Sequence, residues 1–292
     1  KIMKHTTIDC YGTNKYLLDD IKFINQLLND LVYKLELSPI APPSIIPYYY
    51  GRVKEDIGIS AFILLEGGHV TIHTFPKREC YFIDCFTPND FDENYLYEYL
   101  YKSLPFDKEL TIFNTVLRES NTFEVKEYNP VDDFGPHLML EIDSNNMDME
   151  KMYSFLEGIV YDINMDPITR PYVIKNKVGD SDYLSGIIVI AQSHISIHYD
   201  YKNKHAYFDI FSCASFDYSK VEDLLLTLGN VISNELVVRG TKHSSNILKE
   251  MSREVLTLDE AFAKESFKRF SSNKYQYLEG VFQDYIDFYH EL

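Results

Sequence analysis

The chain has 292 residues, 45% of them hydrophobic and 15% aromatic, enough apolar mass for one large domain or two of about 140 residues, which excludes a disordered chain. The formal charge is −17, with acidic residues spread along the chain. That argues against nucleic-acid binding and leaves small cationic ligands or a plain solvated acidic surface. No apolar run approaches the roughly 18 residues of a membrane span, and no charged-then-apolar leader opens the chain, so a soluble, cytoplasmic protein is expected.

In chain order, HTTIDCY (5–11) reads as a strand. Leu17, Leu18, Ile21, Ile24, Leu28, Leu31 and Leu35 then recur at helical spacing. GISAFILL, HVTIHTF and YFIDCF read as three further strands, followed by a helix over Tyr95–Leu104 and a strand in LTIFNTVL. NPVDDFGP (129–136), with two prolines, a glycine and two aspartates, marks a linker. The order then repeats: strand HLMLEID, a helix carrying Met152, Phe155, Ile159 and Ile163, strands LSGIIVIA, HISIHYD and AYFDIF, a helix over Ser219–Leu228 and strand ELVVRG. Beyond residue 240 nothing has a counterpart in the first half; Thr257 and Glu260 form a capping box for a helix over 258–270.

The repetition is close. Residues 58–88 lie over 183–213 without a gap at an offset of 125, matching Ser60 with Ser185, His69 with His194, His73 with His198, Asp84 with Asp209 and Phe86 with Phe211. The expected organisation is a degenerate repeat (1–128), the linker, a repeat carrying the site (137–240) and a C-terminal helical extension (241–292). Each repeat is an α+β unit, and two such α/β-sandwich units with helices on the outer faces predict a four-layer αββα pseudo-dimer.

The copies differ where chemistry would sit. The second reads Gln192-Ser193-His194 where the first reads Gly67-Gly68-His69, and it ends on Cys213 where the first has Pro88. A nucleophile and a thiol are thus present together in one copy and absent together from the other. On a strand, His194, Ser196 and His198 share one face, with Ile195 and Ile197 on the other. Histidines four apart are then roughly 13 Å apart, too far to share a metal, so no metal is expected. No Gly-x-Ser-x-Gly elbow supports a serine hydrolase. Neither Cys213 nor Cys10, Cys80 and Cys85 form a Cys-x-x-Cys pair.

Ser185, Gly186, Ser193, His194, Ser196, Ile197 and His198, with Asp209, Phe211 and Cys213 after them, resemble the S-adenosylmethionine decarboxylase family, bacterial and archaeal branch. HTTIDCYGTNKYLLDDIKFINQLL and HVTIHTFP resemble the family's opening strand and helix and its His-x-Thr-Ile-His-Thr-Trp-Pro segment. The resemblance implies a chain that cuts itself between Gln192 and Ser193 and turns Ser193 into a pyruvoyl group, the electron sink for Schiff-base decarboxylation. It implies that His198 takes the α-proton in the elimination, that Ser185 supports the oxyanion or ester intermediate, and that Cys213 is the general acid. The implied reaction converts S-adenosylmethionine, a small cationic substrate, to its decarboxylated form for spermidine synthesis. Family members pair two such units with sites near the interface, and eukaryotic ones fuse them and keep one site. Whether this internal pair dimerises again stays open. The family's usual Glu before the cleaved serine is Gln192 here. Its Trp-Pro-Glu, which stacks adenine and holds ribose, is Phe75-Pro76-Lys77 in copy one and Asp200-Tyr201-Lys202 in copy two, leaving Phe75 to stack on a base. Two alternatives therefore stand beside the first: a pyruvoyl-dependent arginine or ornithine decarboxylase, and an unprocessed pseudoenzyme that binds a ligand or partner.

Overall fold

The computed structural model describes residues 3–49, 51–118 and 121–242. Strand β1 (Met3–Tyr11) leads through one helical turn, α1 (Lys15–Leu18), into α2 (Ile21–Lys34). Strands β2 (Ser44–Tyr48), β3 (Gly58–Leu65), β4 (Gly68–Phe75) and β5 (Cys80–Thr87) follow, then α3 (Glu93–Ser103) and β6 (Ile112–Arg118). After the short β7 (Phe123–Val125) come β8 (Asp133–Asp143), α4 (Met149–Asp162), β9 (Tyr172–Val178), β10 (Ser181–Ile190), β11 (Ser193–Asp200), β12 (His205–Phe211), α5 (Tyr218–Leu225) and β13 (Asn230–Thr241). The result is an α+β protein with two sheets, ordered β2-β3-β4-β5-β1-β6 and β7-β13-β8-β12-β11-β10-β9. Reading the second sheet from β9 to β13 gives the same succession as the first.

Local chemistry explains the departures from the sequence pattern. The expected helix from Leu17 to Leu35 is broken because the Asp20 carboxylate accepts the Phe23 N–H and starts a new helix there. Asp92, Asp148 and Asp217 cap α3, α4 and α5 in the same way. The expected linker is partly strand: Asp133, Gly135 and Pro136 pair with β13, and the Pro136 carbonyl accepts the Ser212 N–H, a role that needs no amide hydrogen of its own. Strands β2 and β9, unrecognised in the sequence, extend each sheet beyond β3 and β10; Pro47 is compatible with β2 because that strand is an edge. The capping box at Thr257 and Glu260 and the helix over 258–270 lie outside the described residues.

Each sheet buries an apolar face under its own helices. Ile24, Leu27, Leu28, Leu31 and Val32 of α2 pack with Val70, Ile72 and Ile83, and Met152, Leu156, Ile159 and Val160 of α4 pack with Ile195, Ile197 and Ile210. Each such fully buried side chain contributes about 1.5–3 kcal/mol. The opposite faces meet each other. Phe62 and Leu64 cluster with Ile187 and Val189, and Tyr11, Phe75 and Phe82 with Phe134 and Phe211. Between these apolar patches the interface is polar, and that polarity defines the site. Among the described residues no helix is long and apolar enough to cross a membrane.

Candidate active site

The alternation along β4 and β11 sends His69, Thr71 and His73 toward the other sheet, and likewise His194, Ser196 and His198, while the intervening isoleucines and valine go to the helices. All six polar side chains are at most 1% exposed. Burial at that level demands partners, and the partners come from the opposite half. His69 Nδ1 lies 2.8 Å from His198 Nε2, and His73 Nε2 lies 2.8 Å from His194 Nδ1. Because His69 matches His194 and His73 matches His198, these are one contact made twice about a pseudo-two-fold axis.

Arginines cross the same interface. Arg239 of the second half donates to Asp9 (2.8 Å) and Asp84 (2.6 Å) of the first. Arg118 of the first half donates to the Leu140 and Phe208 carbonyls of the second and stands 3.7 Å from Glu141. Two more buried histidines, His5 and His137, complete the core. Sequence reasoning missed this outer ring of Asp9, Glu141, His5, His137, Arg118 and Arg239. A signal existed, since the strands HTTIDCY and HLMLEID both open on histidine and carry an acid four residues later.

Three groups in this core bring metal-ligating atoms within reach of one another: His5, Asp84 and His137; His5, His69 and Asp209; His137, His194 and Asp209. Each includes His5 or His137, whose Nδ1 faces an arginine: Arg118 Nη1 at 3.5 Å and Arg239 Nη1 at 2.9 Å. Guanidinium only donates, so these Nδ1 atoms accept and the ring proton sits on Nε2. A metal-bound histidine instead donates its second nitrogen to an acceptor. The cluster is arranged for hydrogen bonding: His137 Nε2 donates to Asp209 Oδ2 at 3.1 Å, and Ser196 Oγ donates to Asp209 Oδ1.

The expected catalytic residues do not all converge. Ser193 opens β11 directly after a two-residue turn, Ala191-Gln192, and its Oγ accepts the Cys213 N–H at 3.1 Å. The Cys213 thiol lies 3.8 Å from the Ala191 carbonyl. Ser185 and His198 bond each other at 2.9 Å, but at the far end of β11, five residues and roughly 16 Å from Ser193. The groups that reach the turn come from the first half: Ser60 Oγ is 2.7 Å from Gln192 Oε1 and 2.8 Å from His73 Nδ1. Ser60 and His73 match Ser185 and His198 in the repeat. The facing sheets therefore complete each hairpin turn with the serine and histidine of the other half. Phe75, expected to stack on a base, is fully buried in edge contacts with Phe82 and Phe134, and its ring has no exposed face to offer.

The backbone at the turn is strained. Gln192 has φ +53°, in the left-handed region, where its counterpart Gly67 has φ +70°. A side chain there costs about 1–2 kcal/mol that glycine avoids. The matching turn in the first half is also packed shut. A Cβ on Gly67 would come within 2.9 Å of Pro88 and Val178 and 3.0 Å of Tyr183, and the residue that matches Tyr183 in the first repeat is Gly58. Asn176 holds the closed turn, accepting the Gly67 N–H (2.8 Å) and donating to Ser185 Oγ (3.1 Å).

Burial drives the electrostatics. It pushes His198 down to about 3 and His137 down to about 4, and holds His69 and His73 well below the ordinary imidazole value. Burial, with Asp56 nearby, raises the Cys213 thiol to about 11. Burial alone would raise Asp209, but hydrogen bonds from His137 and His194 outweigh it and hold the carboxyl well below the usual range.

The paired sheets thus gather one hydroxyl, one thiol and a serine–histidine pair at one left-handed turn of a duplicated α+β core. The chain belongs to the S-adenosylmethionine decarboxylase family, whose model matches residues 4–113 and again 137–228. It is 30% identical over 84 residues to "S-adenosylmethionine decarboxylase proenzyme 2" of a Bacillus cereus strain, a match covering 29% of this chain and 63% of that protein. It is 29% identical over 105 residues to "S-adenosylmethionine decarboxylase proenzyme" of Clostridium botulinum (strain Langeland), covering 36% of this chain and 84% of that one. The adenosylmethionine decarboxylase of Aquifex aeolicus, a solved structure, aligns with 44% of this chain and 96% of its own at 21% identity and a TM-score of 0.34.

Proposed function

We propose that this chain is a self-processing, pyruvoyl-dependent decarboxylase, cut between Gln192 and Ser193, with the two repeats forming a four-layer αββα pseudo-dimer that holds one live site. The observation that carries the reading is the set of groups converging on that peptide: Cys213 N–H on Ser193 Oγ, and Ser60, backed by His73, on the Gln192 side chain. The roles that the resemblance assigned to Ser185 and His198 pass to Ser60 and His73. In self-cleavage Ser193 Oγ bonds to the Gln192 carbonyl carbon as the peptide nitrogen leaves with a proton, giving an ester. Removal of the residue-193 α-proton then breaks the Cβ–O bond and sends its electron pair onto the new Gln192 carboxylate. Water displaces the 193 nitrogen as ammonia. The left-handed turn favours the cut because breaking the chain there relieves its strain.

The residues present fit the group. Ser193 directly follows the left-handed residue of its hairpin turn, and Gly68 stands in its place in the other repeat. When formed, the pyruvoyl group supplies a carbonyl that takes up the substrate amine and accepts electrons as CO₂ leaves. Cys213, held protonated by burial, is then positioned to return a proton to the product carbon. The substrate we favour is S-adenosylmethionine, feeding spermidine synthesis. The buried ring of Phe75, followed by Lys77 rather than an acid, favours as the second reading the same chemistry on arginine or ornithine, which need no base-stacking surface.

Intact mass of the fresh protein tests the cut. Two fragments meeting between Gln192 and Ser193, the second blocked at its amino terminus by pyruvate, are expected, and a chain that stays whole on prolonged incubation refutes the reading. Ser60→Ala should slow the cut and Ser185→Ala should not.

A further inference from the structure

Six buried side-chain atoms among the described residues lack a hydrogen-bond partner, and two of them stand at opposite ends of one chain of contacts. Gln192 Nε2 is at one end and His194 Nε2 at the other. Between them run Gln192–Ser60 (2.7 Å), Ser60–His73 (2.8 Å) and His73–His194 (2.8 Å), and beyond His194 Nε2 lies Asp209 Oδ2 at 3.2 Å. Amide oxygen and nitrogen are assigned from such networks, and so is the nitrogen that carries each ring proton. Turning the Gln192 amide gives the chain one consistent direction and pairs His194 Nε2, with Gln192 Oε1 then taking the unpartnered place of Nε2. Its Nε2–H then donates to Ser60 Oγ, Ser60 O–H to His73 Nδ1, His73 Nε2–H to His194 Nδ1, and His194 Nε2–H to Asp209. Every link has one donor and one acceptor.

The other half independently shows the same direction. There the amide cannot be turned, because Asn176 Oδ1 accepts the Gly67 N–H; its Nδ2 therefore donates to Ser185 Oγ. Ser185 then donates to His198 Nδ1, and His198 Nε2 to His69 Nδ1. That relay ends on His69 Nε2, which has no partner, whereas the live one ends on a carboxylate.

Resting on the self-cleavage reading above, we propose that Gln192, Ser60, His73, His194 and Asp209 form one directional relay, in which His194 and Asp209 are positioning residues that fix the tautomer of His73 with Nδ1 bare toward Ser60. A carboxylate only accepts, so Asp209 places the His194 proton on Nε2, and each ring then dictates the next. This is the logic by which a third group orients a base. His73 is the base for the α-proton of residue 193, reached through Ser60, whose Oγ takes that proton as its own passes to His73 Nδ1. The resulting imidazolium is linked through His194 to the negative charge on Asp209.

The test is the cleavage rate of the full chain, followed by intact mass from about pH 4 to 9, a range extended to the acid side because burial lowers His73. Asp209→Asn and His194→Gln should slow cleavage by about 10²–10⁴-fold, the usual worth of a positioned base. In Asp209→Asn loss of the anion also disfavours the imidazolium, so the acid limb of the profile should move to lower pH, whereas an anion outside the relay would leave that limb in place. The charged and titrating groups facing His73 and Asp209 are Asp84 on β5, His137 on β8, Arg239 on β13, His5 on β1 and His69 on β4; Asp209→Asn and His194→Gln leave all of them in place, and the control alters His69 alone. His69→Gln is the matched control, equally buried and in the equivalent place, and should cleave at the wild-type rate. His194→Gln leaves the Asp209 carboxylate in place and tests the relay where Asp209→Asn fails to fold. Wild-type cleavage with unchanged rates and profiles in both variants overturns the relay, as does equal slowing in His69→Gln. A wild-type chain that never cleaves overturns the self-cleavage reading instead.

Discussion

Acidification should unfold this protein through its histidine core. The ordinary imidazole value is 6.5, and burial lowers His137 to about 4 and His198 to about 3. Because the folded values lie below the unfolded one, the unfolded chain binds more protons as pH falls through this window. Stability is therefore full above about pH 6.5 and declines below it, until each group protonates in the folded state as well. At about 1.36 kcal/mol per pH unit for each group, the complete loss is about 3 kcal/mol for His137 and about 5 kcal/mol for His198. At pH 4.5 each has lost roughly 2.7 kcal/mol, about 5 kcal/mol for the pair, against domain stabilities of about 5–15 kcal/mol. His69 and His73, also lowered by burial, add in the same direction. Urea unfolding followed by circular dichroism at pH 7, 6, 5 and 4.5 gives the slope directly; it should reach at least two protons taken up on unfolding, roughly 2.7 kcal/mol per pH unit. His198→Gln should reduce that slope by one proton. Stability that stays level from pH 7 to 4.5 refutes the picture of neutral, buried imidazoles.

Arg239→Met should cost about 3–5 kcal/mol in urea midpoints, because it leaves Asp9 and Asp84 buried without their cation. Gly67→Ala should cost at least about 1–2 kcal/mol, read as a fall in Tm, since φ is positive there and the new methyl meets Pro88, Val178 and Tyr183. Ser193→Ala should abolish the cut. Cys213→Ala should still cut, because the group on Ser193 Oγ is the residue-213 backbone N–H, while turnover falls by about 10²–10⁴-fold with the thiol gone; mass and product assays on one preparation separate the two effects.

Much of the fold was readable from periodicity. The offset of 125 aligned β3–β5 with β10–β12, and the strict alternation in HISIHYD identified a two-faced strand. Edge strands β2 and β9 escaped because their half-exposed and exposed residues, with Pro47 among the exposed ones, give no clean period of two. The site was legible only within one half. Ser185, Ser193 and His198 lie close in sequence, and a strand written on paper hides that Ser193 and His198 end up at opposite ends of β11. Which histidine serves which turn depends on how two sheets face each other, and no spacing along one chain carries that information. The arginines were hidden for a related reason: Arg118 and Arg239 close their own repeats, but their partners are across the interface.

The pseudo-two-fold contact also explains how the two halves divide the work. A hairpin turn of one repeat is completed by the serine and histidine of the other, so on the proposed reading Gly68 leaves its own turn without a nucleophile while the first half still serves the other turn. Ser60 and His73 must still attend Gln192. The reverse holds for Ser185 and His198. Their natural turn has closed around Gly67, Tyr183 and Pro88, yet replacing either would leave a partner unpaired in a dry core, at about 1–3 kcal/mol each. On the proposed reading the serine–histidine pair serves chemistry in one repeat and hydrogen bonding in the other. Its presence beside Ser193 in the sequence therefore says nothing about which pair acts; the distances across the interface do.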